Sequence, residues 1–434
     1  MRTGGTWRGL SLRKLGVNSR AVGITNRILV RNSILELGPI SRTEISRITG
    51  LTPPAVTAIV NQYLATGVVT EVGYEESTGG RRPVSLMVNP RVALIFAVKI
   101  QKGEVTSALV DLACGFLSSR RLRLASTDES KVVSAILEQY SECLAESGLP
   151  PERVVYCGVA CPGLIDPGTG VVEHSPNLAW HGVLLADLLS RALDGVPVHV
   201  ENICNAAALA ENRYGRLGHV KNMIHVNLGV GIGAGILIDG HIFEGTHGYA
   251  GEIGHMVMTD GQGPRCSCGR YGCLEAMCST RAVVSRLNEA LQGHPDERVR
   301  NLAPLTDVAA IHEMALDELP EVSRILCDAG RTIGIAVANL VNLFNPELIV
   351  VGGELAAASD LVVSALRESV NEHALPQLTR DLAIIRSQMT QDPSLIGAYA
   401  IVLGRVKAME EWKRGQPTQP SLLSDRRGEN LPHT

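Results

Sequence analysis

Aromatic side chains are nearly missing from this chain: Phe, Tyr and Trp together make up 3% of its 434 residues. Its core must therefore be assembled from Ala, Val, Leu and Ile. Long apolar runs are missing too. The N-terminus has no apolar stretch of the kind a secretory signal needs. The apolar stretch Ile333–Phe344 is too short to span a bilayer and contains Asn339 and Asn342. Acidic residues are scarce at the start of the chain. Within the first fifty residues only Glu36 and Glu44 face Arg2, Arg8, Arg13, Lys14, Arg20, Arg27, Arg31, Arg42 and Arg47. The net charge of −4 gives no reason to expect a nucleic-acid partner, but a basic end on a mildly acidic protein is a local electrostatic footprint.

What is present is a soluble globular composition, 45% hydrophobic and 19% charged, at a length that suits two or three domains. Ten cysteines are present. Seven of them, Cys114, Cys143, Cys157, Cys161, Cys204, Cys278 and Cys327, are scattered and read as core residues. The other three fall in one window. Gly251-Glu252-Ile253-Gly254-His255 is followed by Cys266-Ser267-Cys268-Gly269-Arg270-Tyr271-Gly272-Cys273-Leu274-Glu275. One His and three thiolates (His255, Cys266, Cys268 and Cys273) complete a tetrahedral shell for Zn²⁺ and leave no open position, so the metal is structural. Such a clip supplies roughly 10 kcal/mol or more of apparent binding energy and holds a loop rigid. Glu252 and Glu275 bracket the cluster, are not needed as ligands, and are free to face something else. Free thiols beside a metal motif fit a reducing compartment, so the expected location is cytoplasmic.

The first ninety residues read as helix, short helix, tight turn, helix. Asn26–Leu37 has helical spacing and stops at Gly38-Pro39; Ser41 and Glu44 form a capping box; Thr52 caps a third helix with Pro53 at its first position. Two strands follow, around a loop ending Gly79-Gly80-Arg81-Arg82-Pro83. This is the winged helix-turn-helix pattern. Its third helix presents Thr52, Pro54, Thr57, Ala58 and Asn61 to a major groove, and Arg81 and Arg82 at the wing tip reach phosphates or a narrow minor groove. The plainer reading is a three-helix protein-interaction module with solvated basic loops.

From Leu94 onward the pattern is α/β. Ile95–Asp111 and Ile224–Asp239 each run strand, turn, strand, which suggests a duplicated fold with a ligand cleft between two lobes. The second turn, Gly229-Val230-Gly231-Ile232-Gly233, is able to cradle phosphate and equally able simply to turn.

Taken together, Cys161-Pro162-Gly163, Ser175-Pro176-Asn177-Leu178, Glu201-Asn202-Ile203-Cys204-Asn205, the glycine turn, the His/Cys window and Asn345-Pro346-Glu347 through Gly352-Gly353 resemble the ROK family of repressors, open reading frames and kinases. The resemblance covers residues 20 to about 405. It implies a winged helix-turn-helix followed by a two-lobed actin-like (sugar-kinase, RNase H-like) fold, as in sugar-responsive repressors for xylose and N-acetylglucosamine. The domain boundaries expected are 1–20 for a flexible basic arm, 21–90 for the DNA-binding domain, 91–410 for the sugar-binding body with its zinc clip at 251–275, and 411–434 for a disordered tail. The resemblance also implies a sugar pocket from Asn177, Asn202, Glu252, His255 and Glu275, and a homodimer or homotetramer on operator DNA.

Two positions depart from the kinases of that family. Where they carry a general-base Asp within Asn-Asp-Ala-Asn, this chain has Asn202-Ile203-Cys204-Asn205. Where they carry Asp-x-Gly-Gly-Thr for ATP phosphates and Mg²⁺, it has Lys99, Gln101, Lys102 and Gly103. The expectation is a sugar-responsive regulator without catalytic residues. A sugar kinase with a DNA-binding head is the alternative, and a regulator that docks a protein partner is a third reading. Lys99 and Lys102 near the cleft suit a phosphorylated effector.

Overall fold

The computed structural model describes residues 19–74, 84–215, 218, 220–313, 319–409 and 412. Residues 1–18 of the expected basic arm, the wing-tip Arg81 and Arg82, and residues 413–434 lie outside them, while residues 19 and 20, expected in the arm, open the first helix instead. The chain forms two units. One runs to Val92 and includes Lys407–Trp412; the other is Ala93–Val406.

In the first unit, α1 (Ser19–Leu37) begins a full turn or more before the Asn26 expected from spacing. Then come β1 (Ile40–Ser41), α2 (Arg42–Thr49), α3 (Pro53–Ala65), β2 (Val69–Tyr74) and β3 (Val84–Val88), in a sheet of order β1-β3-β2. Ser41 Oγ accepts from the Glu44 amide at 3.4 Å, and Gly50 ends α2 in the left-handed conformation. Thr52 stands at the start of α3 but makes no capping hydrogen bond. Pro53 and Pro54 fill the first two helical positions and remove donors that a cap would serve. Val56, Val60 and Tyr63 turn inward with Val30, Ile34, Ile45 and Leu86. Two-residue β1 was not foreseen; it is too short to carry an alternating pattern.

Trp412, which the sequence groups with the tail, is buried here. The Arg31 guanidinium lies 4.2 Å from its ring centroid and donates to the Lys407 and Met409 carbonyls, each at 2.8 Å. Asn32 also donates to the Lys407 carbonyl, and Lys407 pairs with Glu36. These contacts place Lys407–Trp412 with the first unit rather than with the body expected at 91–410.

The second unit holds two sheets of like order. The strands of the first are β4 (Leu94–Gln101), β5 (Glu104–Asp111), β6 (Phe116–Arg123), β7 (Val154–Cys161) and β11 (Val198–Asn202), ordered β11-β7-β4-β5-β6. Between β7 and β11 the chain makes a small sheet from β8 (Leu164–Asp166), β9 (Val171–Ser175) and β10 (Trp180–Val183). The other large sheet has β12 (Met223–Leu228), β13 (Ile232–Ile238), β14 (His241–Ile242), β15 (Leu348–Gly352) and β16 (Ala383–Arg386), ordered β14-β13-β12-β15-β16. In each, an antiparallel meander continues into two parallel strands. The duplicated hairpins of the sequence are the first two strands of these meanders.

Each sheet has its own aliphatic core. α4 (Glu129–Ser147) packs on β5 and β6, with Phe96 edge-on to Tyr140 at 5.0 Å, and α5 (Leu185–Ala192) packs on β11 and β9. The helices Pro320–Phe344 and Asp360–His373 pack on each other beside the second sheet. α6 (Ile203–Tyr214) touches strands of both sheets. Against it runs the last helix, Pro393–Ala408, so closely that a Cβ at Gly397 would stand 2.0 Å from the Ala206 carbonyl oxygen. The alanine-rich face of α6 (Ala206, Ala207, Ala210) permits this approach. It puts the first residues of both helices, Ile203 and Pro393, into one cleft.

Candidate ligand cleft and metal cluster

The cleft has a volume of about 470 Å³. Asn177, Asn202, Glu252, His255 and Glu275 all line it, as do Lys99, Lys102 and Ile203. Each is delivered by a different local device.

Asn177 sits in the turn between β9 and β10. Glu275 is the second residue of α7 (Leu274–Cys278). The two converge on Gly231: a Cβ there would lie 3.1 Å from both Asn177 Nδ2 and Glu275 Oε2. The Glu275 carboxylate joins two walls. Oε2 accepts from the Ile232 amide at 3.2 Å, and Oε1 accepts from Ser267 Oγ at 3.2 Å. A cysteine-loop residue and the glycine turn are thus tied through one side chain.

Glu252 precedes the short turn Ile253–His255. Burial holds its carboxyl above the usual range, with the nearby His255 opposing and Glu275 adding to the shift. Asn202 is more committed than expected. Its Oδ1 caps α6 by accepting from the Cys204 amide at 2.7 Å, and its Nδ2 donates to the Gly163 carbonyl at 3.0 Å. Buried Glu201 underlies it, accepting from the Asn202 amide and from Asn205 Nδ2. Asn202 therefore shapes the floor of the cleft, and only its spare lone pair and second N–H remain for a ligand.

His255, Cys266, Cys268 and Cys273 bring four ligand atoms within 4.8 Å of one another. Cys268 and Cys273 sulfurs are 3.7 Å apart, and Cys266 Sγ is 3.6 Å from His255 Nδ1. A tetrahedral ion with bonds of about 2.3 Å to sulfur and about 2.0–2.1 Å to nitrogen needs edges of roughly 3.8 and 3.5 Å, so the set fits zinc. The Cys266 amide closes on the Arg270 carbonyl at 2.7 Å, with Gly269 in the left-handed region between them. The other ring nitrogen, Nε2, lies 3.9 Å from Glu252 Oε2. Ligation through Nδ1 would aim Nε2 at the cleft wall. The remaining cysteines are as expected: Cys143, Cys157, Cys161, Cys204 and Cys278 are buried, and Cys114 and Cys327 half-buried.

Two features escaped the sequence. Lys99 is not a free cation but is hydrogen-bonded to Asp392, far away in sequence. His225, on β12, is buried with no hydrogen-bond partner among the described residues at either ring nitrogen, and burial pulls its pKa down to about 4. The signal for both was a polar residue inside an apolar strand. Lys102 is exposed.

In the first unit, Thr52, just before α3, and Pro54, Thr57, Ala58 and Asn61 on it are all exposed. No helix among the described residues is long and apolar enough to cross a membrane.

The model of the ROK family matches residues 95–405. The xylose repressor of Caldicellulosiruptor bescii is 31% identical over 392 residues, 89% of this chain and 97% of that protein. The crystal structure of a ROK family transcriptional regulator, homologue of the E. coli MLC protein, superposes with a TM-score of 0.75 at 28% identity, covering 89% of this chain and 97% of the other. The ROK family glucokinase from Streptomyces griseus, solved with glucose and AMPPNP, gives a TM-score of 0.64 at 27% identity, over 71% of this chain and 99% of the enzyme.

Proposed function

The chain belongs to the ROK family, and on that premise we propose that it is a sugar-responsive transcriptional regulator, a repressor, whose kinase-like body binds a sugar or sugar phosphate without phosphorylating it. One observation carries this reading. The cleft keeps a polar wall, Asn177, Glu252, His255 and Glu275, around a position where Ile203 offers no proton acceptor. Sugars present many hydroxyls, and carboxylates and amides take several hydrogen bonds at once. A general base contributes about 10²–10⁴-fold in rate, and phosphoryl transfer further needs its metal and phosphates held. At the first hairpin the side chain in the metal-holding position is Lys99, already engaged by Asp392.

Zinc in the His255, Cys266, Cys268 and Cys273 cluster stiffens the loop between Glu252 and Glu275. It also fixes the His255 ring so that its second nitrogen meets ligand. Lys102 is the cation left to a phosphorylated effector.

The three helices and the β2–β3 hairpin of the first unit are a winged helix-turn-helix. Thr52, Pro54, Thr57, Ala58 and Asn61 face the major groove, and Arg81 and Arg82 contact the backbone or minor groove. A homodimer, or a homotetramer built from it, reads two half-sites in the cytoplasm. Effector in the cleft and operator on the helices are linked reciprocally: if sugar weakens DNA binding, DNA weakens sugar binding by the same factor.

The test is a thermal-shift screen of the full chain against sugars and their phosphates, followed by ADP measurement with ATP, Mg²⁺ and each hit. A ligand that binds the folded state raises the melting point. A stabilising sugar with no ADP formed supports the proposal. Robust ADP formation makes the protein a sugar kinase with a DNA-binding head, and silence across the panel favours docking of a protein partner.

A further inference from the structure

β9 and β10 are an antiparallel pair, and the turn that joins them carries Asn177. His174 and His181 stand directly opposite each other in this ladder. Their Nδ1 atoms are 3.1 Å apart, with ring centroids at 4.5 Å and planes inclined by 34°. His174 is half-buried and His181 exposed, so solvent reaches the pair. Neither belongs to the His255 cluster.

Side chains directly opposed on antiparallel strands start from Cβ atoms about 4.5–5.5 Å apart, which lets two imidazoles meet at one point without moving the backbone. Two ring nitrogens bound to one ion at about 2.0–2.1 Å, in a cis angle between square and tetrahedral, lie about 2.9–3.4 Å apart. The observed separation falls inside that window. We propose that His174 and His181 form a second metal site, a two-imidazole clamp for a borderline divalent transition ion such as Ni²⁺, Cu²⁺ or Zn²⁺, with water in the remaining positions. Imidazole donors select these ions over Mg²⁺ and Ca²⁺, which prefer oxygen ligands. Glu173, the adjacent carboxylate, is directed to the opposite face of the strand by alternation. The ion staples the two strands on either side of the turn that presents Asn177 to the cleft. The site does not depend on what the cleft binds.

The rival account of the contact is one imidazole donating an N–H to the other, with no affinity for metal. Ni²⁺ separates the two, because it binds imidazole without oxidising the thiols. The full-length chain, loaded with zinc, is titrated with Ni²⁺ by calorimetry, and bound nickel and zinc are counted by mass spectrometry. The expected result is one equivalent of nickel per chain with zinc retained. His174→Ala and His181→Ala should each weaken nickel binding at least tenfold, with zinc content unchanged as the check on folding. Nickel should raise the melting point of the wild type and not of either variant. Wild type that takes up no nickel, or variants that take up as much as wild type, overturn the proposal.

Discussion

Lys99 Nζ donates to Asp392 Oδ2, joining the end of β4 to the residue that caps the last helix. Asp392 Oδ1 meanwhile accepts from the Ser394 and Leu395 amides, so one carboxylate serves both as helix cap and as counter-ion inside the cleft. The proposed loss of catalysis rests in part on Lys99, which stands where the kinases that the chain resembles carry an acid for metal and phosphates. Here a cation from the first hairpin occupies the carboxylate. Restoring the missing base alone should therefore not restore catalysis. Ile203→Asp is expected to give no ADP above background with ATP, Mg²⁺ and hexoses in a coupled assay; turnover by that single variant would show that the phosphate side is intact.

The same pair makes a stability prediction. Its side chains are 13% and 24% exposed, so removing one charge strands the other in a partly dry site. Lys99→Met should cost about 1–3 kcal/mol in denaturant unfolding, below the loss seen for fully buried pairs. Lys99→Met with Asp392→Asn should cost less than the two single losses together, a coupling that a double-mutant cycle measures directly.

Cys268→Ser should release the metal and loosen the loop that carries Glu252 and Glu275. The link is explicit: Ser267, next to Cys268, donates to Glu275, which holds the Ile232 amide. Zinc analysis should fall from one equivalent to near none, and a sugar that shifts wild-type melting should lose most of its effect. A metal-free variant with full effector response would separate the cluster from the cleft.

On DNA, Asn61→Ala should weaken operator binding and relax base preference, since Asn61 is exposed on α3. Arg81→Ala with Arg82→Ala should weaken binding to every sequence and flatten its salt dependence by about one phosphate contact per arginine lost. Gel-shift titrations across a salt series distinguish the two patterns, and an unchanged slope removes the wing from the interface.

His225 predicts a pH effect. Burial lowers its folded-state pKa from 6.5 to about 4, with Asp392 opposing. The unfolded chain takes up this proton near pH 6.5 and the folded chain does not until about pH 4. The stability His225 contributes is therefore complete above pH 6.5 and lost as pH falls toward 4, by a total of about 3 kcal/mol. Replacing it with Phe keeps a ring in place and abolishes this term. The difference in unfolding free energy between wild type and His225→Phe should shift toward the variant between pH 7 and pH 5. Parallel curves would mean that the folded ring takes up its proton over the same pH range as the unfolded chain.

Much of the site was legible in sequence because its signals are local. C-x-C-x4-C with an upstream His gathers into a cluster that could hold a metal, and Gly38-Pro39, Ser41 with Glu44, and Gly50 punctuate helices within a residue or two. The exposed face of α3 followed from helical periodicity alone. The misses have a common character. Thr52 looked like a cap because its type is right, but Pro54 took a donor away. Asn202 lines the cleft as expected, but local spacing did not show that its amide also bonds Cys204 and Gly163. Trp412 looked like tail until Arg31 was found over its ring.

By itself the sequence determined the family, the four residues of the His/Cys cluster, the duplicated hairpins and the absence of an acid at Ile203, since each depends on which residue stands at a given spacing. Only tertiary structure decided which polar groups are already satisfied. Whether Lys99 is a free cation, whether Asn202 Nδ2 is already engaged and where Lys407–Trp412 docks all turn on partners far away in the chain. Lys99 and Asp392 are 293 residues apart in sequence and Arg31 and Met409 378 apart, and no local pattern encodes such contacts.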